Sequence, residues 1–188
     1  IWFSPQYAQR RKDNLVPEDL TFQTKIQIAL ELIHQVARTK LFPAQWIGCD
    51  ATFGSDAHFL NSLPEGSYYF ADVRSNSQVF LKKPKVRLPA YSGRGRKPKR
   101  PRLSPGQPQP KTVAVLARSA KCHWESVILA EGAKGPIVAK VTRLRVYPAR
   151  DGLPQEDSVR LFIRSTSDGK TKFSFSNAPI DIPLSEMT

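Results

Sequence analysis

From Lys82 to Lys111 the chain reads KKPKVRLPAYSGRGRKPKRPRLSPGQPQPK, and seven of those thirty residues are Pro. Proline removes a backbone donor and fixes φ, so neither a helix nor a central strand runs through such a stretch. The chain is therefore divided into a segment before it and a segment after it. Residues 89–111 read as a loop that is disordered without its partner. The same stretch holds most of the charge. No Asp or Glu occurs between Val73 and Trp124, where 14 residues are Lys or Arg. The rest of the chain carries 15 basic and 16 acidic side chains, so the net charge of +13 lives in this window. A localised excess of that kind points to a polyanion, and nucleic acid is the common one.

The candidate phosphate contacts are Lys82, Lys83, Lys85, Arg87, Arg94, Arg96, Lys97, Lys99, Arg100, Arg102 and Lys111. Within them, Arg94-Gly95-Arg96-Lys97-Pro98 resembles the core of an AT-hook. In such an element Gly lets the backbone lie in a narrow minor groove while Arg side chains enter it. Lys97 interrupts the usual Arg-Pro step, so plain phosphate binding is the preferred reading. A solvated, solubilising linker is the bland alternative.

Before the basic window, Phe22, Ile26, Ala29, Leu30, Ile33 and Ala37 recur at helical spacing, with Ile28, Leu32 and Val36 broadening the apolar face. A substantially buried helix over residues 22–39 is predicted, ending before Pro43. WIGC (46–49) reads as a short buried strand. Ser55 is the candidate N-cap for a helix from Asp56 to about Leu63. SYYFADV (67–73) reads as a second strand, parallel to the first. After the window, residues 112–120 suggest a short helix. Residues 124–131, 136–147, 158–166 and 170–177 read as strands of an antiparallel meander, with a Gly-containing turn in SDGK at 167–170. The fold class is α/β plus β.

No apolar run is long enough to cross a membrane as a helix. The N-terminus lacks the layout of a signal peptide. Two cysteines, Cys49 and Cys122, make no disulfide framework and fit a reducing, cytoplasmic setting. The first residue is Ile, which suggests a piece of a longer protein.

Asp50 stands where the first strand ends, in WIGCDATFG. A carboxylate there needs a hydrogen-bond donor, a basic side chain or a metal ion. Capping of the next turn is the bland reading. Asp56 reads as a first-turn helix residue, and no metal role is assigned to Asp72. His34 and His58 read as packing or surface residues. Cys49 reads as a small buried residue, Cys122-His123 has no partner pair at zinc spacing, and Trp124 is expected to pack the β-rich segment.

Taken in order, VPEDLTFQTKIQIALELI, WIGCDATFG, YYFADVRSNSQVFL, GPIVAKVTRLRVY and FSFSNAPIDIPL resemble bacterial insertion-sequence transposases of the DDE class. The relevant members have an RNase H-like core with a β-rich insertion between the second and third acids. The resemblance runs from about Phe3 to Leu184. It implies a partial RNase H-like core over residues 1–78, a basic DNA-binding loop over 79–111, a mostly antiparallel β insertion domain over 112–184, and the return to the core from 185. It implies that Asp50 is the second catalytic Asp and a ligand of Mg²⁺ or Mn²⁺. The first Asp and the Glu of the family would fall outside the chain, so the chain by itself is expected to be inactive. The implied partner is double-stranded DNA, at transposon ends and at the target, with a homodimer in the full-length protein and a bacterial cytoplasmic, nucleoid-associated location. A non-catalytic basic DNA-binding protein, or a truncated transposase remnant, is the alternative.

Overall fold

The computed structural model describes residues 5–17, 21–91, 93–119, 122–133, 135–166, 169–179 and 182. Phe3 and Leu184, which bound the resemblance, and the return segment from 185 lie outside the described residues, as do Ser167 and Asp168 of the proposed turn.

The chain divides into two compact units. Residues 1–43 and 62–64 form the first, with helices α1 (Pro5–Asp13) and α2 (Lys25–Thr39). The sequence reading missed α1. Its signal was Pro5, which is suited to the first helical turn, where a missing N–H costs nothing. α2 starts at a capping box: the Thr24 hydroxyl accepts from the Gln27 amide, and the Gln27 side chain accepts from the Thr24 amide. It ends on Lys40 in the left-handed region, before Pro43. It ends where expected but begins at Lys25, three residues later than residue 22, so Phe22 lies outside it, and its burial also differs from expectation. Ile26, Ala29, Leu30 and Ile33 are half-buried, and no residue of α2 is fully buried. Ile28, Leu32 and Val36 are 43–56 % exposed. These three stand one turn apart on a second row that no described element covers.

The second unit, residues 44–61 and 65–188, contains a nine-stranded sheet. In chain order its elements are β1 (Trp46–Cys49), α3 (Ala51–Gly54), α4 (Ala57–Asn61), β2 (Tyr68–Val73), β3 (Gln78–Phe80), β4 (Val86–Arg87), β5 (Arg102–Leu103), β6 (Lys111–Thr112), α5 (Val113–Leu116), β7 (Glu125–Gly132), β8 (Gly135–Arg150), β9 (Leu153–Pro154), β10 (Val159–Thr166) and β11 (Thr171–Ser176). The strand order is β1-β2-β11-β10-β8-β3-β6, with β7 and β9 also paired to β8. β1 and β2 are parallel, as expected for a strand–helix–strand unit, and the other ladders are antiparallel. The molecule is a mixed α/β fold with a large sheet and few helices.

β7, β8, β10 and β11 form the meander read from sequence, with an unforeseen β9 made by the turn at Asp151-Gly152. Both turn residues have positive φ, 51° and 76°, the pairing that two-residue hairpins favour. β11 returns to pair with β2, so Phe175 lies opposite Ala71. The sheet therefore continues across residue 78. Its core includes Ala71, Leu161, Ile163 and Val146, all fully buried.

α3 sits close against β2. A Cβ added at Gly54 would lie 2.1 Å from the Asp72 carbonyl oxygen, so only glycine allows this approach. The N-cap of α4 is Asp56, not Ser55: the Asp56 carboxylate accepts from the Phe59 amide at 2.9 Å, while Ser55 ends α3. α4 stands where a helix from Asp56 to about Leu63 was expected, and the unforeseen α3 precedes it because Asp50 and Asp56 each supply a cap, six residues apart.

Candidate functional site

Asp50 follows β1 in extended geometry (φ −76°, ψ 177°) and caps α3. Its Oδ1 accepts from the amides of Thr52 at 2.8 Å and Phe53 at 3.4 Å. Among the described residues Oδ2 receives no hydrogen bond, and the residue is exposed. The strand leading to it is only half-buried, so Asp50 is not the costly buried acid that WIGC suggested. One oxygen is fixed by backbone donors, and the other is open to solvent or a ligand.

Asp72 lies near the end of the neighbouring strand β2 and is differently committed. Its Oδ1 takes a 2.7 Å ion pair from the Arg164 guanidinium and a 2.6 Å bond from the Ser174 hydroxyl. Arg164 also donates to Ser174 and lies 4.9 Å from the centre of the Phe70 ring. This network spans β2, β10 and β11 and ties the meander to the parallel strands. Burial, followed by the Asp50 and Asp72 carboxylates, pushes the Cys49 thiol up from 9.0 to about 11. Cys49 is half-buried where a buried residue was expected, and its raised pKa disfavours the reactive thiolate. Among the described residues no group of three His, Cys, Asp or Glu side chains could hold a metal ion. The donor set offers one available carboxylate, Asp50, which fits a single oxygen ligand to a hard dication and does not complete a site.

The basic window is better ordered than its composition implied. β4 pairs with β5, the Ser104 amide donates to the Lys85 carbonyl, and the Lys85 amide donates to the Gln107 side chain. β6 then joins β3 in the large sheet. The described residues of 88–101 are a loop without helix or strand, as expected, and the β4–β5 pair closes that loop into a small hairpin anchored at its base. Proline confines each of its strands to two residues but does not prevent pairing at their ends. All eleven candidate residues are exposed. Of these eleven only Lys83 has an ion-pair partner among the described residues, Glu156 at 2.5 Å, and it also lies 5.9 Å from the Tyr147 ring centre. Lys83 is therefore committed to the fold. Arg87 and Arg102 stand directly opposite each other across β4 and β5. Facing like charges destabilise a ladder, and a bound anion reverses that sign. The hook-like stretch is bent and not extended: Gly93 and Gly95 have positive φ, and the Tyr91 hydroxyl donates to the Gly95 carbonyl.

Other sequence candidates fall into structural roles or remain at the surface. His34 Nε2 is 2.7 Å from the Ser62 carbonyl oxygen, in the first unit. The Cys122 thiol donates to the Leu116 carbonyl. Trp124 is 40 % exposed, where a packed side chain was expected. It lines a cavity with Arg118 and Lys140, at the edge of the β-rich segment and not in its core.

The described residues thus present an exposed carboxylate at the end of a parallel strand, a large mixed sheet and a dense cationic hairpin. The family model of the DDE superfamily endonucleases matches residues 2–136, and the chain belongs to that family. This agrees with the resemblance to transposases and nucleases of the DDE type. Nucleases of this superfamily act on nucleic acid and in general use divalent metals. No curated protein and no solved structure matches the chain. No helix among the described residues is long and apolar enough to cross a membrane.

Proposed function

We propose that this chain is the central part of a bacterial DDE transposase, contributing one catalytic carboxylate, Asp50, and a hairpin that holds duplex DNA. The observation that carries the reading is the divided carboxylate of Asp50: Oδ1 is held by two backbone amides while Oδ2 is left open. A ligand oxygen aimed this way loses little freedom when a dication binds. In this reading residues 46–73 are a strand–helix–strand portion of an RNase H-like core, and residues from about 79 to 184 are a β-rich insertion. Mg²⁺ or Mn²⁺, when bound, would activate a water or a 3′-hydroxyl and stabilise the leaving oxygen. Asp50 would be a ligand. Asp72 would not, because the Arg164 guanidinium already pairs with its charge. The exposed cations of residues 82–111, Lys83 excepted, would bind the duplex through phosphates with little sequence preference.

The test uses the complete reading frame in a plasmid excision assay, beside a gel-shift titration. Asp50→Asn keeps the capping oxygen and removes the charge. Excision should be abolished while DNA affinity changes less than about twofold; near-normal excision would return Asp50 to a cap alone. The 188 residues by themselves should not nick supercoiled plasmid in Mg²⁺ or Mn²⁺, and nicking that depends on Asp50 would contradict this. The alternative is a non-catalytic DNA-binding protein or a truncated transposase remnant, in which the Asp50 carboxylate is only the cap of α3. That reading requires Asp50→Asn to be silent in both assays.

A further inference from the structure

A second cationic feature lies outside the basic window. Between β8, β10 and the segment after β11 there is a cavity of about 380 Å³ lined by Arg143, Arg145, Ser158, Arg160, Ala178 and Pro179, among others, with no acidic residue among the described lining residues. Arg160 is 7 % exposed, and its guanidinium donates to the carbonyls of Pro179 and Ile182, which fixes its position. Arg145 stands directly opposite Arg160 across the β8–β10 ladder. Its Nε donates to the Ser158 hydroxyl at 2.7 Å, and its two terminal nitrogens have no partner among the described residues. Among the described residues Arg143 reaches only Glu125, at 3.5 Å between two exposed side chains, a pair that contributes little.

We infer that this cavity is a phosphate site, and that in use it takes a phosphate of the DNA backbone. The inference rests on the proposed DNA-binding function. Guanidinium forks match phosphate oxygens two at a time, and the Ser158 hydroxyl fixes one fork without neutralising it. β10 is three strands from β1 in the sheet order, on the order of 14 Å at ordinary strand spacing. One turn of duplex, about 34 Å long, spans that separation.

The test compares the wild type with the double variant Arg143→Gln/Arg145→Gln. Arg160 is left intact, because its bonds to the chain are structural. Inorganic phosphate should raise the wild-type melting temperature above chloride at equal ionic strength, and the double variant should lose that increment while keeping its circular dichroism spectrum. In gel shifts the variant should bind duplex DNA several-fold more weakly, with a log K against log salt slope less steep by about 1. Arg145→Lys, which keeps a charge, should fall between the two. A variant with the wild-type slope and the wild-type phosphate increment overturns the inference and leaves the proposed function standing. Loss of the phosphate increment with an unchanged DNA slope overturns the DNA assignment in favour of free phosphate. A wild type that takes phosphate but no DNA overturns the DNA assignment together with the functional reading on which it rests.

Discussion

The two regions that carry the proposed activity are built on opposite plans. At the end of β1 a single carboxylate is aimed by two amides within three residues of it. Across residues 82–111 eleven cations are exposed, and ten have no ion-pair partner among the described residues. The first arrangement is local and all-or-none: one atom has one direction, and under the proposed function removing it would remove the chemistry. The second is distributed, because each phosphate contact adds a similar, salt-sensitive increment. Substitutions at Asp50 should therefore separate activity from binding, and substitutions in the hairpin should grade binding.

The largest expected effect is on cleavage in the complete protein. Asp50→Asn should lower the rate by roughly a thousandfold or more, since a lost metal contribution is worth several kcal/mol. Next comes Gly54→Ala. The new Cβ meets the Asp72 carbonyl oxygen at 2.1 Å, so α3 or β2 must shift. A loss of about 1–3 kcal/mol is expected from overpacking of this kind, measured by urea denaturation. This substitution also sharpens the comparison, because moving α3 moves the amides that aim Asp50 but leaves the hairpin untouched. An unchanged denaturation midpoint would show that α3 does not pack as described.

A smaller effect isolates the cap. Asp50→Ala should destabilise by about 1 kcal/mol, and Asp50→Asn by only a few tenths, because Asn keeps the accepting oxygen. Equal losses in the two variants would remove the cap from the account.

The smallest effect is a pH dependence. The Cys49 thiol is pushed up to about 11 in the folded chain, so between pH 9 and 11 the unfolded chain has already released a proton that the native chain still holds. Stability from this source is complete below pH 9 and falls as pH rises toward 11. Tyr69, pushed up to about 12 by burial first and then by Cys49 and Asp157, extends the fall. Cys49→Ala should flatten the curve of denaturation midpoint against pH in that window. An unaltered curve would mean that the thiol is not held neutral by its surroundings.

Much of the secondary structure was legible in the sequence, because period carries it. α2, β1, β2 and the four long meander strands stand within a few residues of where apolar spacing put them. Burial was less legible. The row Ile28, Leu32 and Val36 reads as core by composition and is exposed, since a helix face records only what it can pack against and not whether a partner is among the described residues. The β4–β5 pairing was hidden by prolines, which forbid long ladders but not two-residue ones. The pairing of β11 with β2 is a contact between residues about a hundred positions apart, and no local pattern encodes it. At the site, Asp50 itself was legible from its place after a strand. Its capping role stood as the bland alternative, and its exposure was not foreseen. The engagement of Lys83 by Glu156 and of Asp72 by Arg164 could not be read, because each depends on a partner more than 70 residues away.

The most direct test of the division between chemistry and affinity is a salt titration of DNA binding by three proteins side by side: the wild type, Asp50→Asn, and a variant with Arg94, Arg96, Lys97, Lys99, Arg100 and Arg102 all replaced by Ala. If about six phosphates are engaged, the wild type and Asp50→Asn should share a log K against log salt slope near −5. The six-residue variant should lose most of its affinity and most of that slope. A six-residue variant that binds with the wild-type slope, or an Asp50→Asn protein that loses it, would contradict the account.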